Sequence, residues 1–231
     1  MDATLTCEVG VTCVADMKIE SAEFLTSAKN LEDCPRSSLP EVAFIGRSNV
    51  GKSSLVNMLT KQKGLAKVSK RPGATKLLNF FTMNKWWNLV DLPGYGYAQV
   101  SKGKQADFNE AVSEYLMGRP QLKLICALVD ARAEPIELDL GFLNWLEDCP
   151  VPHVLVFTKT DEVKEDLWKR NMEIYKETLE ALGLRMVEMI PCSSVERAGR
   201  GVLLQYIQGA LPKKPKKGTG TGVQLNWLKK R

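Results

Sequence analysis

Between an apolar run, EVAFIG (residues 41–46), and a helix-compatible stretch, SSLVNMLTKQ, stands GRSNVGKSS, residues 46–54. It reads G-x-x-x-x-G-K-S at a strand-to-helix junction, and few folds accept that pattern there. Glycines let the backbone wrap until the amides from Gly46 through Arg47, Ser48, Asn49, Val50 and Gly51 point inward at phosphate oxygens. A helix beginning near Lys52 adds the positive end of its dipole, with Ser54 in its first turn. Lys52 is expected to reach the β- and γ-phosphates, and the Ser53 hydroxyl to ligate Mg²⁺. A mere glycine-rich turn is the bland alternative, and the strand-to-helix context speaks against it.

The rest of the chain repeats the same alternation. LLNFFTMN (residues 77–84) and KWWNLVDLPG (residues 85–94) nearly touch, so a tight turn around Asn84 and Lys85 makes them an antiparallel hairpin. LKLICALVDA, HVLVFTKTD and RMVEMIPCSS are continuous apolar runs, the signature of strands buried on both faces. Helical stretches lie between and after them: ADFNEAVSEYLMG, IELDLGFLNWLED, KEDLWKRNMEIYKETLEALG and VLLQYIQGAL. Strands alternating with helices predict a doubly wound α/β sheet of about six strands, mainly parallel, with helices on both faces. Residues 1–39 read as a less regular extension packing on that domain, residues 40–211 as the domain, and residues 212–231 as a basic flexible tail.

Ligands of such sheets bind at the carboxyl ends of the strands. DLPGYGYA (residues 91–98) starts with Asp91 at the end of the third predicted strand, where an acid holds the magnesium directly or through water. A turn or capping aspartate is its alternative. Leu92, Pro93 and Gly94 follow, and the Gly94 amide can meet a γ-phosphate if the loop swings in. This stretch therefore reads as a nucleotide-sensing switch.

TKTD ends the fifth predicted strand. Asp161 can accept hydrogen bonds from the N1–H and 2-amino group of guanine, a pair that adenine lacks. The stem of Lys159, between Thr158 and Thr160, can lie along the ring. A site built for such bonds rejects an analogue lacking them by roughly 10⁴-fold. Cys192, Ser193 and Ser194 end the sixth strand, where a backbone amide can meet the guanine oxygen. In VSKRPGATK, Gly73 and Ala74 precede Thr75, which is placed to complete the magnesium shell, with Ser69, Thr60 and Thr82 as nearby competitors. The ordered series points to GTP and GDP.

Composition narrows the setting. The chain holds 32 basic and 27 acidic residues, but seven of the basic ones lie in PKKPKKGTGTGVQLNWLKKR from Pro212 onward. The remainder carries 25 basic against 27 acidic residues. Lysines attract phosphates without reading sequence, and Trp227 can stack on a base, so the tail suits RNA; a solvated tail is the plainer reading. The six cysteines form no Cys-x-x-Cys pair and His153 is the single histidine, which argues against zinc and for a reducing compartment. No apolar run approaches the roughly 18 residues of a membrane helix, and no targeting segment is visible.

GRSNVGKSS, RPGAT, DLPGYGYA, TKTD and SS, in that order, resemble the EngB (YihA or YsxC) type of ribosome-biogenesis GTP-binding proteins, within the TrmE-Era-EngA-EngB-Septin-like class of P-loop GTPases. The resemblance runs from about Ile19 to Leu211. It implies a G domain that hydrolyses GTP and switches during assembly of the large ribosomal subunit, binding ribosomal RNA as a monomer, with no DNA or membrane partner. It also brings links to septation and the cell cycle. Relatives occur in bacterial cytoplasm, plastid stroma and mitochondrial matrix. The chain departs from the family at Ala74, at Lys76 where a Gln is usual, at Glu162 where a Lys is usual, and in the looser VERAGRG turn.

Two further expectations come from the resemblance. Many signalling GTPases carry a water-orienting glutamine after the switch glycine. Here Tyr95 stands there, so intrinsic hydrolysis is expected to be slow, with Tyr95 turned away; packing on a neighbouring helix is the plainer role. Related GTPases with Asn at position 49 use potassium in place of an arginine finger. Asn49 therefore joins Lys52 and Thr75 as a candidate catalytic residue, a loop-bracing hydrogen bond being the alternative. A GTP-gated RNA- or protein-binding module with incidental hydrolysis is the second functional reading. A nucleotide kinase is the third, weakened because the chain shows no arginine-rich lid.

Overall fold

In the computed structural model the structure describes residues 17–68, 76–96 and 102–214, of which residues 102–109 as backbone only. Apolar runs too short for helices become strands: β1 (Ala22–Ala28), β2 (Glu41–Gly46), β3 (Leu78–Met83), β4 (Trp87–Asp91), β5 (Leu122–Asp130), β6 (His153–Thr158) and β7 (Met189–Pro191). They form one seven-stranded sheet in the order β1-β3-β4-β2-β5-β6-β7. Only β3 runs against its neighbours, β1 and β4; the other pairings are parallel. Asn84 and Lys85, at φ 53° each, turn the chain between β3 and β4 as a primed hairpin turn requires.

The amphipathic stretches form α1 (Lys52–Thr60), α2 (Lys102–Gly118), α3 (Glu137–Leu146), α4 (Glu165–Ala181) and α5 (Arg200–Ala210). One core joins the sheet to α1 and α5 through Leu55, Leu59, Leu203 and Ile207. A second joins its opposite face to α2, α3 and α4 through Tyr115, Leu143, Leu146 and Tyr175. A sheet buried on both faces needs apolar side chains on both, which is why β2 and β6 are buried from end to end. No described helix is long and apolar enough to cross a membrane.

Two features differ from the sequence reading. The sheet gains a seventh strand, because β1 pairs with β3 from within the segment read as an extension. The Asn84 side chain fixes that pairing: its oxygen accepts from the N–H groups of Glu20 and Ser21, and its amide donates to Lys18 O at 2.7 Å. The last strand is also shorter than RMVEMIPCSS suggests, pairing with β6 only over Met189–Pro191. Pro191 has no N–H to continue a ladder, which suits an edge position.

Candidate nucleotide site

The strand β2 lies at the topological switch point, with β4 on one side and β5 on the other, where doubly wound sheets open a crevice. Gly46 ends β2, and the chain then curls through Asn49 (φ 62°) and Gly51 (φ 113°) into α1. The Lys52 ammonium crosses this curl, donating to Gly46 O and Arg47 O at 3.1 Å each. Its side chain is therefore anchored beside the loop amides, as a phosphate-binding lysine must be. Burial pushes its pKa down, and neighbouring Asp91 pulls it back up.

Beside it, Ser53 Oγ donates to Asp91 Oδ2 at 3.0 Å. Asp91 is almost fully buried, and its Oδ1 has no hydrogen-bond partner. Burial raises its carboxyl to about 6 against the pull of Lys52 and the Ser53 hydrogen bond. An orphaned carboxylate oxygen beside a hydroxyl fits a hard cation such as Mg²⁺, which takes one or two protein oxygens plus substrate phosphates. Thr75, Gly73 and Ala74 lie outside the described residues.

Residues 92–95 do not stand off from this loop. Arg47 and Tyr95 form a parallel bridge, with Ser48 N donating to Tyr95 O at 3.3 Å. The approach is so close that a Cβ on Gly94 would lie 2.8 Å from Ser48 N and 2.9 Å from Lys52 Nζ. The segment expected to swing in is already in, and only a glycine fits there. The Tyr95 ring turns away from the loop and stacks on Phe142 of α3, with centroids 4.4 Å apart. Its hydroxyl donates to Asp139 Oδ1 at 3.0 Å. Tyr175 of α4 donates to the other oxygen at 3.2 Å. Arg47 Nε lies 3.1 Å from Asp139 Oδ1, an ion-pair distance, yet its N–H is not aimed at that oxygen and makes no hydrogen bond.

At the other end, Thr158 Oγ1 lies 2.6 Å from Val50 O and 3.1 Å from Val129 O, tying TKTD to the phosphate loop. Lys159 takes φ 63°, and residues 160–162 form a short 3-10 turn. A cleft of about 490 Å³ brings together Gly51, Ser54, Thr158, Lys159, Asp161 and Ser194. Cys192 and Ser193 are fully buried, and their amides are spent on Phe157 O and Ala198 O. Ser194 is thus the member of that trio that reaches the cleft. Gly199, at φ 72°, closes the VERAGRG turn so tightly that a Cβ would lie 2.0 Å from Pro191 O. A second cavity, about 570 Å³, lies under Pro93 and Tyr95 against Leu138, Phe142 and Trp145. Its walls are mainly apolar and the charged residues lining it, Glu110 and Glu137, are acids, a poor match for a triphosphate.

The sequence reading gave no role to Asp130, Arg132 or Asp139. Asp130 ends an apolar strand just as Asp91 does, and that signal was available. Asp139 sits four residues before Leu143 and seven before Leu146 on the buried stripe of α3, where an acid demands partners.

A family model described as 50S ribosome-binding GTPase matches residues 41–159. The probable GTP-binding protein EngB of Christiangramia forsetii is 45% identical over 193 residues, covering 84% of this chain and 98% of that protein. Its counterpart from Porphyromonas gingivalis is 44% identical over 191 residues, covering 83% and 95%. Among solved structures, a probable GTP-binding protein engB aligns with a TM-score of 0.55 at 22% identity, covering 74% of this chain and 95% of that one. Era in complex with MgGDPNP and a 16S ribosomal RNA segment aligns at 0.61 and 22%, covering 77% and 58%. These two structures carry the shared fold, and the near-full-length identity carries the family: the chain belongs to the EngB family of GTP-binding proteins, and is an EngB-type GTPase.

Proposed function

We propose that this GTPase is a nucleotide-dependent switch in assembly of the large ribosomal subunit, acting as a monomer on ribosomal RNA. The observation that carries the reading is the docking of residues 92–95 on the phosphate loop. Gly94 packs against Ser48 and Lys52, so any group entering between them must displace the segment. Tyr95 transmits that displacement to α3 through Phe142 and Asp139. The family description, a GTPase that binds the 50S subunit, supports the choice of partner. The reading includes no DNA or membrane partner. It places the protein where large subunits assemble, in bacterial cytoplasm, plastid stroma or mitochondrial matrix, with septation and the cell cycle affected through ribosome supply.

Hydrolysis converts GTP and water to GDP and phosphate. Ser53, Asp91 and Thr75 would hold the magnesium ion, which supplies charge neutralisation at the phosphates. Lys52 binds the β- and γ-phosphates and spreads charge that develops in the transition state. Gly94 offers its amide at the same place. Tyr95, committed to Asp139 and Phe142, leaves the attacking water unoriented, so hydrolysis is slow, on the order of 10⁻⁴ s⁻¹ unaided. Asn49 is the residue through which potassium would accelerate it, and an Asn49→Ala variant should lose any advantage of potassium over sodium.

Co-sedimentation with large ribosomal subunits in GTP, GDP and no nucleotide tests the switch; binding confined to the GTP state is expected, and binding blind to nucleotide refutes it. The commitment of Tyr95 also favours a second reading, a GTP-gated RNA- or protein-binding module with incidental hydrolysis. Single-turnover hydrolysis with and without subunits separates the two, because only the first predicts acceleration.

A further inference from the structure

At the base end, charged side chains form a closed ring that phosphate binding does not explain. Lys159 Nζ donates to Asp130 Oδ2 at 2.9 Å. Arg132 grips the same carboxylate twice, Nε to Oδ1 at 2.8 Å and Nη2 to Oδ2 at 2.7 Å. Its Nη1 pairs with Glu162. Glu162 returns to the start, its backbone N–H donating to Lys159 O at 3.0 Å. Asp161 lies on the arc between Lys159 and Glu162, facing the cleft.

We propose that Asp130 is a positioning residue for guanine recognition: its carboxylate anchors the Lys159 ammonium so that the lysine stem is set for the base before nucleotide arrives. The inference rests on the reading of Lys159 and Asp161 as guanine contacts. A lysine has four rotatable bonds, and a free head would leave the stem to be ordered at the moment of binding. Anchoring removes that loss beforehand. Lys159 also holds a left-handed backbone angle, which is uncommon for a non-glycine residue and is favoured by fixed surroundings. Arg132 and Glu162 provide that surrounding by fixing Asp130 from the solvent side. Burial alone would raise the Asp130 carboxyl, but hydrogen bonds from Arg132 and Lys159 outweigh it and hold it at about 2. The anchor therefore stays charged across the neutral range.

Guanine is common to GDP and GTP, so loss of the anchor should weaken both equally and leave the chemical step alone. The test titrates the full chain with fluorescent GDP and GTP analogues in magnesium, and measures hydrolysis at saturation. Asp130→Asn should raise both dissociation constants about tenfold with kcat unchanged. On a Lys159→Met background, which keeps most of the stem and removes the ammonium, the same change should alter affinity by less than about twofold. An equal loss on both backgrounds, no loss, or a fall in kcat alone would overturn the assignment. Should Asp130→Asn fail to fold, Arg132→Gln on the exposed side of the ring should give the same pattern at about threefold, and its absence counts equally against the anchor. A wild-type chain that binds no guanine nucleotide overturns the guanine reading itself, and the wild-type titration distinguishes that result.

Discussion

Asp130, at the base end, lies among cations, with Lys159 and Arg132 both donating to it. Asp139, at the switch end, lies between the neutral hydroxyls of Tyr95 and Tyr175, with Arg47 beside it but misdirected. Both carboxylates are buried, and the partners decide the sign of what burial does. At Asp130 burial is outweighed and the carboxyl is held at about 2, below its ordinary 3.8. At Asp139 burial wins over Arg47 and the two tyrosines, and the carboxyl is raised above the ordinary value. A charge ringed by cations makes a rigid part; a charge held by neutral donors makes a part that can be moved. On the proposed function, the base is the same in every nucleotide state and calls for the first, whereas a segment answering the γ-phosphate calls for the second.

The largest expected effect isolates the base end. Asp161→Asn should cut GDP affinity by about 10⁴-fold, because an amide cannot accept both guanine donors, and Tyr95 contacts should persist. If tyrosine resonances of the nucleotide-free protein shifted as well, the two ends would not be separable. Next, Gly94→Ala should separate them from the other side. The added methyl meets Ser48 N and Lys52 Nζ, so hydrolysis under saturating GTP should fall about 100-fold. GDP affinity, read by calorimetry, should fall less, by about tenfold, since the base end is untouched while the displaced Lys52 also serves the β-phosphate.

A smaller pair of effects tests the carboxylates directly. Asp130→Asn should lower unfolding free energy by about 2 kcal/mol at pH 7, measured in urea. A depressed carboxyl contributes stability fully above its unfolded value and loses it as pH falls toward about 2. The difference between wild type and variant should therefore be flat from pH 5 to 8. Asp139→Asn should fall within about 1 kcal/mol of wild type at pH 7. A raised carboxyl detracts from stability at neutral pH, and that burden lifts on acidification, so its variant should compare less favourably as pH drops. Equal losses at pH 7 would end the contrast. Comparable in size is Tyr95→Phe, which keeps the stack on Phe142 and removes one hydroxyl, for about 1 kcal/mol. A larger loss would mean that the switch end is as rigid as the base end.

The placement of GRSNVGKSS, Asp91 and TKTD was legible in the sequence because the signal is local: each is a short run at the end of an apolar strand. The parallel order of the sheet followed from alternation alone. β1 was not legible, since three of its first five residues are exposed and its register is held by Asn84, far along the chain. That Tyr95 turns away and packs on a helix was legible, but that the helix is α3 was not, the contacts joining residues 44 and 47 positions apart. Asp130 and Asp139 were visible as acids in apolar surroundings, but which cations or hydroxyls answer them is a matter of tertiary placement. The close approach at Gly94 was foreseen only as a swing, because no local pattern tells how near two loops lie.

Calorimetric titration of the magnesium-supplemented chain with GDP, GTP and ADP bears most directly on the site as a whole. Saturable binding of both guanine nucleotides, with ADP weaker by about 10⁴-fold, is the predicted result. Comparable affinity for ADP, or no binding by either guanine nucleotide, would contradict the site described here.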